Sequence, residues 1–363
     1  MKRVLIVAND FTAIYHFRME LLERLHHDGY EVVLAMPADE KNAAFEPVVT
    51  KLIPIPLSRF GTNPLAEIKT YFAIRRIIRS EKPDVVLTYT AKPNIYGGLA
   101  ASAEKVPYIA TVTGLGSNFE KQNLISRIML LLEKAAFRNA KKVFFQNERN
   151  MAILHEHGIA VHNCGMVPGS GVNLRMNACE PYPENKTVHF LAAARIRKDK
   201  GYDELFRVIR RFHDEGLCAQ FHIIGWYEDD SYKETVEELQ REYGVVFHDY
   251  VPHEQMHGHL SSCDCLIQPS HHEGMSNIIL EAAATGRPCI VSNINGCKEA
   301  IRDGETGYLF EVKNAEDLYQ KMTEFMRLDR GKRAQMGRMA RKYMEQAFDR
   351  SAVVQIYIDE INR

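Results

Sequence analysis

The sequence predicts an α/β protein built as two doubly wound Rossmann-like domains, each a parallel sheet with helices on both faces. Three observations lead there. The chain has 363 residues, more than one hydrophobic core usually serves. Short β-branched runs alternate with helical patterns along its whole length. The alternation restarts after a Pro- and Gly-rich segment at 167–173, punctuation that suits a hinge.

In the first half, strands are expected at 3–8, 31–35, 85–90, 108–112 and 142–146, with helices at 15–27, 65–80, 95–103 and 123–140. After the hinge, strands recur at 189–194, 220–225, 245–249, 265–269 and 288–292. Three closing helices, at 315–326, 332–347 and 351–362, have no strands left to cover in the second domain. The domains are thus 1–168 and 169–346. A ligand belongs in a central cleft between them, at the carboxyl ends of the strands.

Composition fits a folded chain, with 45% apolar and 26% charged residues. No apolar run reaches the roughly 18–20 residues that span a bilayer, and the opening Met-Lys-Arg-Val-Leu-Ile-Val-Ala reads as a buried strand rather than an export signal. Seven cysteines without a paired Cys-x-x-Cys spacing point to a reducing cytoplasm, and away from a disulfide framework or a zinc site. A net charge of −1 speaks against a nucleic-acid partner. The halves differ, however: +5 over residues 1–168 and −6 over 169–363, a hint that the first half meets something anionic.

The most informative stretch runs from Pro269 to Pro288. A strand ends near Pro269, a polar loop follows, and a helix opens at about Ser276, a good N-cap residue, and stops at Gly286. The backbone N–H groups of Met275, Ser276 and Asn277 are expected to point out of that helix start, where the helix dipole favours a diphosphate. Glu273 lies before the helix and Glu281 inside it. Carboxylates accept hydrogen bonds from sugar hydroxyls, so one could hold a transferred sugar and the other a ribose. Spacing alone leaves open that Glu281 is a solvated helix residue and Glu273 a loop charge. A second element adds weight: Arg195-Ile-Arg-Lys-Asp-Lys200-Gly-Tyr follows a strand, which puts two cations at the same edge to neutralise a departing diphosphate.

Together, R-x4-KG, E-G-M-S-N-x3-E-A-x3-G-R-P and the later G-x-x-E-x-I-x-D-G-x-x-G-Y-L-F of 296–310 resemble glycosyltransferase family 4, of the GT-B fold. The resemblance implies that Arg195 and Lys200 bind the donor diphosphate and that Glu273 contacts the donor sugar, these three forming the catalytic set. It implies that Gly274, Met275, Ser276 and Asn277 complete the donor site, that Glu281 binds ribose, and that Gly225 and Val251 flank the base. It also implies a last helix, about 347–363, that returns to the first domain, and transfer with retention and without a metal or other cofactor. In the first domain, residues 14–19, 88–97 and 114–117 are similar to bacterial enzymes that add N-acetylgalactosamine or related sugars to undecaprenyl-diphosphate-linked saccharides. Tyr15, His16, Arg18, Lys92, Asn94 and Thr113 are the acceptor-side candidates, Thr113 standing where many relatives carry a His.

No catalytic nucleophile is evident. The resemblance implies front-face attack, with the departing diphosphate oxygen taking the acceptor's proton. The expected function is therefore a retaining glycosyltransferase moving a sugar, best a HexNAc such as GalNAc, from a UDP-sugar to a lipid-diphosphate-linked saccharide. Alternatives are a hexosyl- or hexuronosyltransferase on the same acceptor class, and a UDP-sugar epimerase of the same fold. A dehydrogenase is disfavoured, since no G-x-G-x-x-G follows the first strand. Over 123–142, Arg127, Lys134, Arg138 and Lys141 share a stripe with Leu130 and Phe137. Such a surface suits anionic lipid headgroups, so the expected location is peripheral, at the cytoplasmic face of the inner membrane.

Overall fold

The computed structural model describes residues 1–58, 63–115 and 124–363, with backbone only for 124–126. The chain divides into two compact units, Met1–Ser170 with Ser351–Arg363, and Gly171–Arg350.

The first unit holds β1 (Arg3–Val7), β2 (Glu31–Met36), β3 (Lys51–Pro54), β4 (Val85–Tyr89), β5 (Tyr108–Val112), β6 (Lys142–Phe145) and β7 (Cys164–Met166). They form one parallel sheet in the order β3-β2-β1-β4-β5-β6-β7. The helices between them are α1 (Phe11–His27), α2 (Pro64–Glu81), α3 (Gly98–Glu104), α4 (Leu124–Phe137) and α5 (Glu148–Glu156). Strands covered on both faces must be apolar on both, and β1 is: Val4 and Ile6 enter one core, Leu5 and Val7 the other. The sheet's two edge strands, β3 and β7, carry no such run and are part-exposed. That is why no strand is expected from their sequence.

Local chemistry moves two helix starts. The side chain of Asp10 caps α1 by accepting from the Ala13 N–H at 2.8 Å, so the helix opens at Phe11, four residues before its expected start. A π-helical turn at Pro93–Gly97 precedes α3.

The second unit holds β8 (Val188–Ala193), β9 (Ala219–Ile224), β10 (Val246–His248), β11 (Cys265–Gln268), β12 (Cys289–Ser292) and β13 (Gly307–Phe310), paired in parallel in the order β10-β9-β8-β11-β12-β13. One face is covered by α6 (Tyr202–Asp214), α7 (Lys233–Tyr243) and α10 (Ala315–Arg327), the other by α8 (His253–Ser262), α9 (Asn277–Ala284) and α11 (Arg330–Ala347).

The last helix, α12 (Arg350–Asn362), belongs to the first unit from Ser351 onward. Its Val353, Val354, Tyr357, Ile358 and Ile361 are buried with β1, β2 and α1, and Tyr357 shares a 2.8 Å hydrogen bond with Thr111 of β5.

The basic stripe is narrower than its spacing suggests. At about 100° per residue, Leu130 and Phe137 sit roughly 60° round from Arg127 and Lys134, towards the core. Phe137 is accordingly buried and Leu130 packs against the core. The exposed apolar residues beside the cations are Ile128 and Leu131 instead. Lys141 lies beyond the helix and donates to the Glu360 carbonyl of α12 at 2.6 Å. Asn123, and residues 116 and 117 of the 114–117 motif, lie outside the described residues. Among the described residues no helix is long and apolar enough to cross a membrane.

Burial of a side chain such as Val or Ile is worth about 1.5–3 kcal/mol, so the buried set of α12 contributes on the order of 10 kcal/mol. A domain's entire stability is about 5–15 kcal/mol. Truncation after Arg350 is therefore expected to leave the first unit unfolded, read by proteolytic cleavage within 1–170 at protease levels the full chain resists. Retained resistance would show that α12 is dispensable.

Candidate functional site

In a doubly wound sheet the strand order reverses at one point, and the loops leaving the two strands there diverge and leave a crevice. In the second unit that point lies between β8 and β11, which pair directly through Phe190 with Cys265 and Leu191 with Leu266. The segment after β8 carries Arg195 and Lys200, and the segment after β11 carries Glu273.

The two loops are locked together. His271 donates its backbone N–H to the Asp199 carbonyl at 2.9 Å. Gly201 takes φ +73°, and a Cβ on it would sit 1.9 Å from the Pro269 carbonyl oxygen, so only glycine fits. A third loop closes in after β12: a Cβ on Gly296, at φ +90°, would lie 2.8 Å from the carbonyl oxygens of both Glu273 and Gly274. Glu299 holds that loop, accepting from the Gly296 N–H at 2.7 Å and the Asn295 amide at 3.0 Å.

This packing brings Lys200 Nζ within 2.7 Å of Glu273 Oε1, with the side chains 11% and 15% exposed. The same oxygen accepts from Ser270 Oγ at 2.8 Å and Gln268 Nε2 at 3.2 Å. Removing two charges from water is costly, and convergent donors on one oxygen offset that cost. The pair is therefore fixed in place, with all three bonds on one carboxylate oxygen.

Arg195 reaches a different partner. Its Nη1 donates to both oxygens of Glu228, at 2.9 and 3.0 Å, and Arg197 shares that carboxylate at 3.0 Å. The two expected cations thus face two different acids, Lys200 on the β11 loop and Arg195 on the loop after β9. Ser276 also departs from expectation. Its N–H is taken by the Gly296 carbonyl at 2.8 Å and its side chain makes no cap bond. The outward donors are those of the first turn of α9, which opens at Asn277, and Asn277 Oδ1 is a buried acceptor with no donor among the described residues. Met275 packs into the core beneath this loop.

Glu281 is not a solvated helix residue. It is buried on α9, with His253 Nε2 2.9 Å from its Oε1. The Glu281 hydrogen bond raises the His253 pKa above its ordinary value, outweighing the opposite effect of burial. Gly225 directly follows β9 and donates to the His248 carbonyl at 3.1 Å, and Val251 follows β10, partly buried against the core.

The first-unit candidates lie after β1, β4 and β5. Arg18 is buried, its guanidinium 4.5 Å from the Tyr89 ring centroid and 5.8 Å from that of Tyr357. Asn94 is buried with both amide ends engaged, accepting from Thr88 Oγ1 at 2.7 Å and donating to the Thr111 carbonyl at 2.8 Å. Lys92 donates to Glu67 and to the Ser58 carbonyl, each at 2.6 Å. These three hold the fold together. Tyr15, stacked on Phe11 at 4.8 Å, His16 and Thr113 remain partly exposed. Among the described residues no group of three or more His, Cys, Asp or Glu is arranged to hold a metal ion.

Glu228, His253, Gln268 and Ser270 are additions that sequence reasoning did not supply. Glu228 and His253 act through partners on other elements, and no spacing rule links Glu281 to a histidine 28 positions earlier, whereas Gln268 and Ser270 act on Glu273 within their own strand–loop segment.

Two family models match separate parts of the chain. Residues 3–147 match the Glycosyl transferase 4-like model and residues 180–343 match Glycosyl transferases group 1. The chain is 28% identical over 354 residues, 92% of its length and 93% of the relative's, to N,N'-diacetylbacillosaminyl-diphospho-undecaprenol alpha-1,3-N-acetylgalactosaminyltransferase of Campylobacter jejuni. It is 23% identical over 290 residues, 69% of its length and 68% of the relative's, to UDP-Gal:alpha-D-GlcNAc-diphosphoundecaprenol alpha-1,3-galactosyltransferase of Escherichia coli. Sucrose-phosphate synthase of Thermosynechococcus elongatus superposes with a TM-score of 0.82 at 18% identity, over 99% of both chains. Anabaena HepE in complex with UDP and glucose superposes with 0.80 at 15% identity, over 100% of both.

Two parallel doubly wound units are the GT-B architecture. Both halves carry the corresponding sequence patterns. The chain is a glycosyltransferase, similar in both halves to those of family 4.

A folded pKa raised above the unfolded value means that the His253–Glu281 pair stabilises fully below the unfolded histidine pKa of about 6.5. That stabilisation fades as pH rises through the raised value. Glu281→Gln is expected to flatten the resulting loss of stability between about pH 6 and 8, followed by denaturant unfolding at each pH. A variant as steep as the parent would remove the pair from the account.

Proposed function

We propose that this enzyme transfers a HexNAc, GalNAc being the best candidate, from a UDP-sugar to a lipid-diphosphate-linked saccharide, with retention and without a metal. The single observation carrying this reading is the fixed Lys200–Glu273 pair at the β8–β11 switch point. With donor bound, Lys200 turns its charge to the diphosphate and the first turn of α9 adds amide donors. Glu273, held by Ser270 and Gln268, offers its Oε2 to a sugar hydroxyl. The anomeric carbon's bond to the diphosphate oxygen breaks as its bond to the acceptor oxygen forms. The acceptor's proton passes to the departing diphosphate. Arg195 joins by exchanging Glu228 for phosphate, and Glu281 receives the ribose hydroxyls with His253 orienting it. The names of the Campylobacter jejuni and Escherichia coli relatives, both acting on diphosphoundecaprenol-linked saccharides, support the acceptor class.

Lys200→Ala is expected to lower turnover by about two orders of magnitude or more. UDP-sugars should raise the wild-type melting temperature in proportion to the logarithm of their concentration, and chelator should leave turnover unchanged. Near-normal turnover of the variant would overturn Lys200's role. A new sugar nucleotide formed without acceptor would make the protein an epimerase.

A peripheral position at the cytoplasmic face of the inner membrane is supported by an open groove of 740 Å³ in the first unit, lined in part by Leu131, Lys134, Arg138, Val161 and His162. Leu131 is 67% and Val161 46% exposed, apolar groups beside two cations. Replacing Lys134 and Arg138 by Glu is expected to abolish sedimentation with vesicles containing anionic phospholipid, with catalysis on a soluble acceptor intact. Undiminished sedimentation would place any membrane contact elsewhere.

A further inference from the structure

We infer that His271 and Glu204 are positioning residues for the transfer, their side-chain contact holding Lys200 and Glu273 in register, an inference that rests on the donor reading above. His271 stands two residues before Glu273 in the loop after β11, and Glu204 stands four residues after Lys200, in the first turn of α6. Nε2 of His271 lies 3.2 Å from Glu204 Oε1, with the side chains 9% and 10% exposed. A carboxylate only accepts hydrogen bonds, so the imidazole presents an N–H there. The His271 main chain meanwhile donates to the carbonyl of Asp199, the residue before Lys200, at 2.9 Å. One residue thus grips the lysine-bearing segment on both sides of Lys200, by its backbone upstream and by its ring downstream.

The start of α6 needs such a grip. No side chain caps it, and the Tyr202 hydroxyl ties it only to the Ala194 carbonyl, just past the end of its own strand, at 2.8 Å. Glu204 supplies the tie across to the β11 loop. A purely structural role does not account for the choice of groups. An acid in a helix's first turn gains from the helix dipole while still solvated, yet Glu204 is buried and its Oε2 has no partner among the described residues. An unmet buried acceptor is destabilising, and well-packed apolar side chains in place of a buried charged pair are often as stable or more so. What the polar pair adds is direction, because a hydrogen bond fixes both distance and angle between the two loops. The lysine–glutamate contact at 2.7 Å depends on that alignment, since its side chains issue from the loops so joined. Misplacing such groups by about 1 Å can lower a rate by about 10²-fold.

The test follows UDP release from UDP-GalNAc by the full-length protein, with GlcNAc-diphosphoundecaprenol as acceptor, beside denaturant unfolding of each variant. A double variant, Glu204→Leu with His271→Leu, removes the polar contact and fills its space. It is expected to keep the parent's stability while kcat falls roughly 10- to 100-fold and the donor KM moves by less than about threefold. His271→Ala should lower kcat by the same factor, and His271→Gln, whose amide N–H can stand where Nε2–H stood, should keep most of it. Parental kcat in the stable double variant, beside the loss expected of Lys200→Ala, would overturn the positioning role while the donor reading stands. A kcat loss that tracks lost stability and is not rescued by His271→Gln would overturn it too, marking a structural pair. Near-normal turnover of Lys200→Ala, or none by the parent, would overturn the donor reading and this inference with it.

Discussion

The direct pairing of β8 with β11 is the constraint on which the second unit's chemistry depends. Parallel strands release their following loops at one edge, and here the loops leave in opposite directions around the sheet. A lysine and a glutamate 73 positions apart thereby meet at 2.7 Å. Close packing keeps them there: the β8 loop lies against the Pro269 carbonyl and the β12 loop against those of Glu273 and Gly274, each approach too tight for a Cβ. Loop packing alone thus assembles the charge pair, with its geometry already set.

Several residues that make the sequence recognisable turn out to be scaffolding. Arg287, in the Gly-Arg-Pro of the long motif, is fully buried and donates to the carbonyls of Glu180, Pro181, Ser261, Thr285 and Gly286. Gly296 and Glu299 hold the loop that supports Glu273. In the first unit Asn94 ties β4 to β5, and Arg18 lies on the rings of Tyr89 and Tyr357. A motif records whatever a fold needs at a site, its supports as well as its reactive groups.

What the sequence reveals follows from how locally each feature is determined. Strands buried on both faces read as unbroken apolar runs, so β1, β4, β8 and β11 are legible, whereas the short edge strands β3 and β7 are not. The strand–loop–helix units bearing Lys200 and Glu273 are legible because each is contiguous. Their mutual contact, the Glu228 clamp on Arg195 and the His253–Glu281 pair are set by strand order and helix packing, quantities with no period in the chain. The basic stripe over 123–142 shows the same limit, since a rotation of about 60° separates a solvent-facing position from a core one.

The placement of α12 bears on how the chain reaches its fold during synthesis. One face of the first unit's sheet is completed only by Ser351–Arg363, after all of Gly171–Arg350 has been made. At about 5–20 residues per second, that interval lasts roughly 10 to 40 s. Throughout it, the apolar face shared by Val4, Ile6, Val32 and Leu34 lacks its final cover on the ribosome. A nascent surface of that kind is a natural client for a holding chaperone, and interrupted translation would yield an aggregation-prone fragment rather than a working half-enzyme.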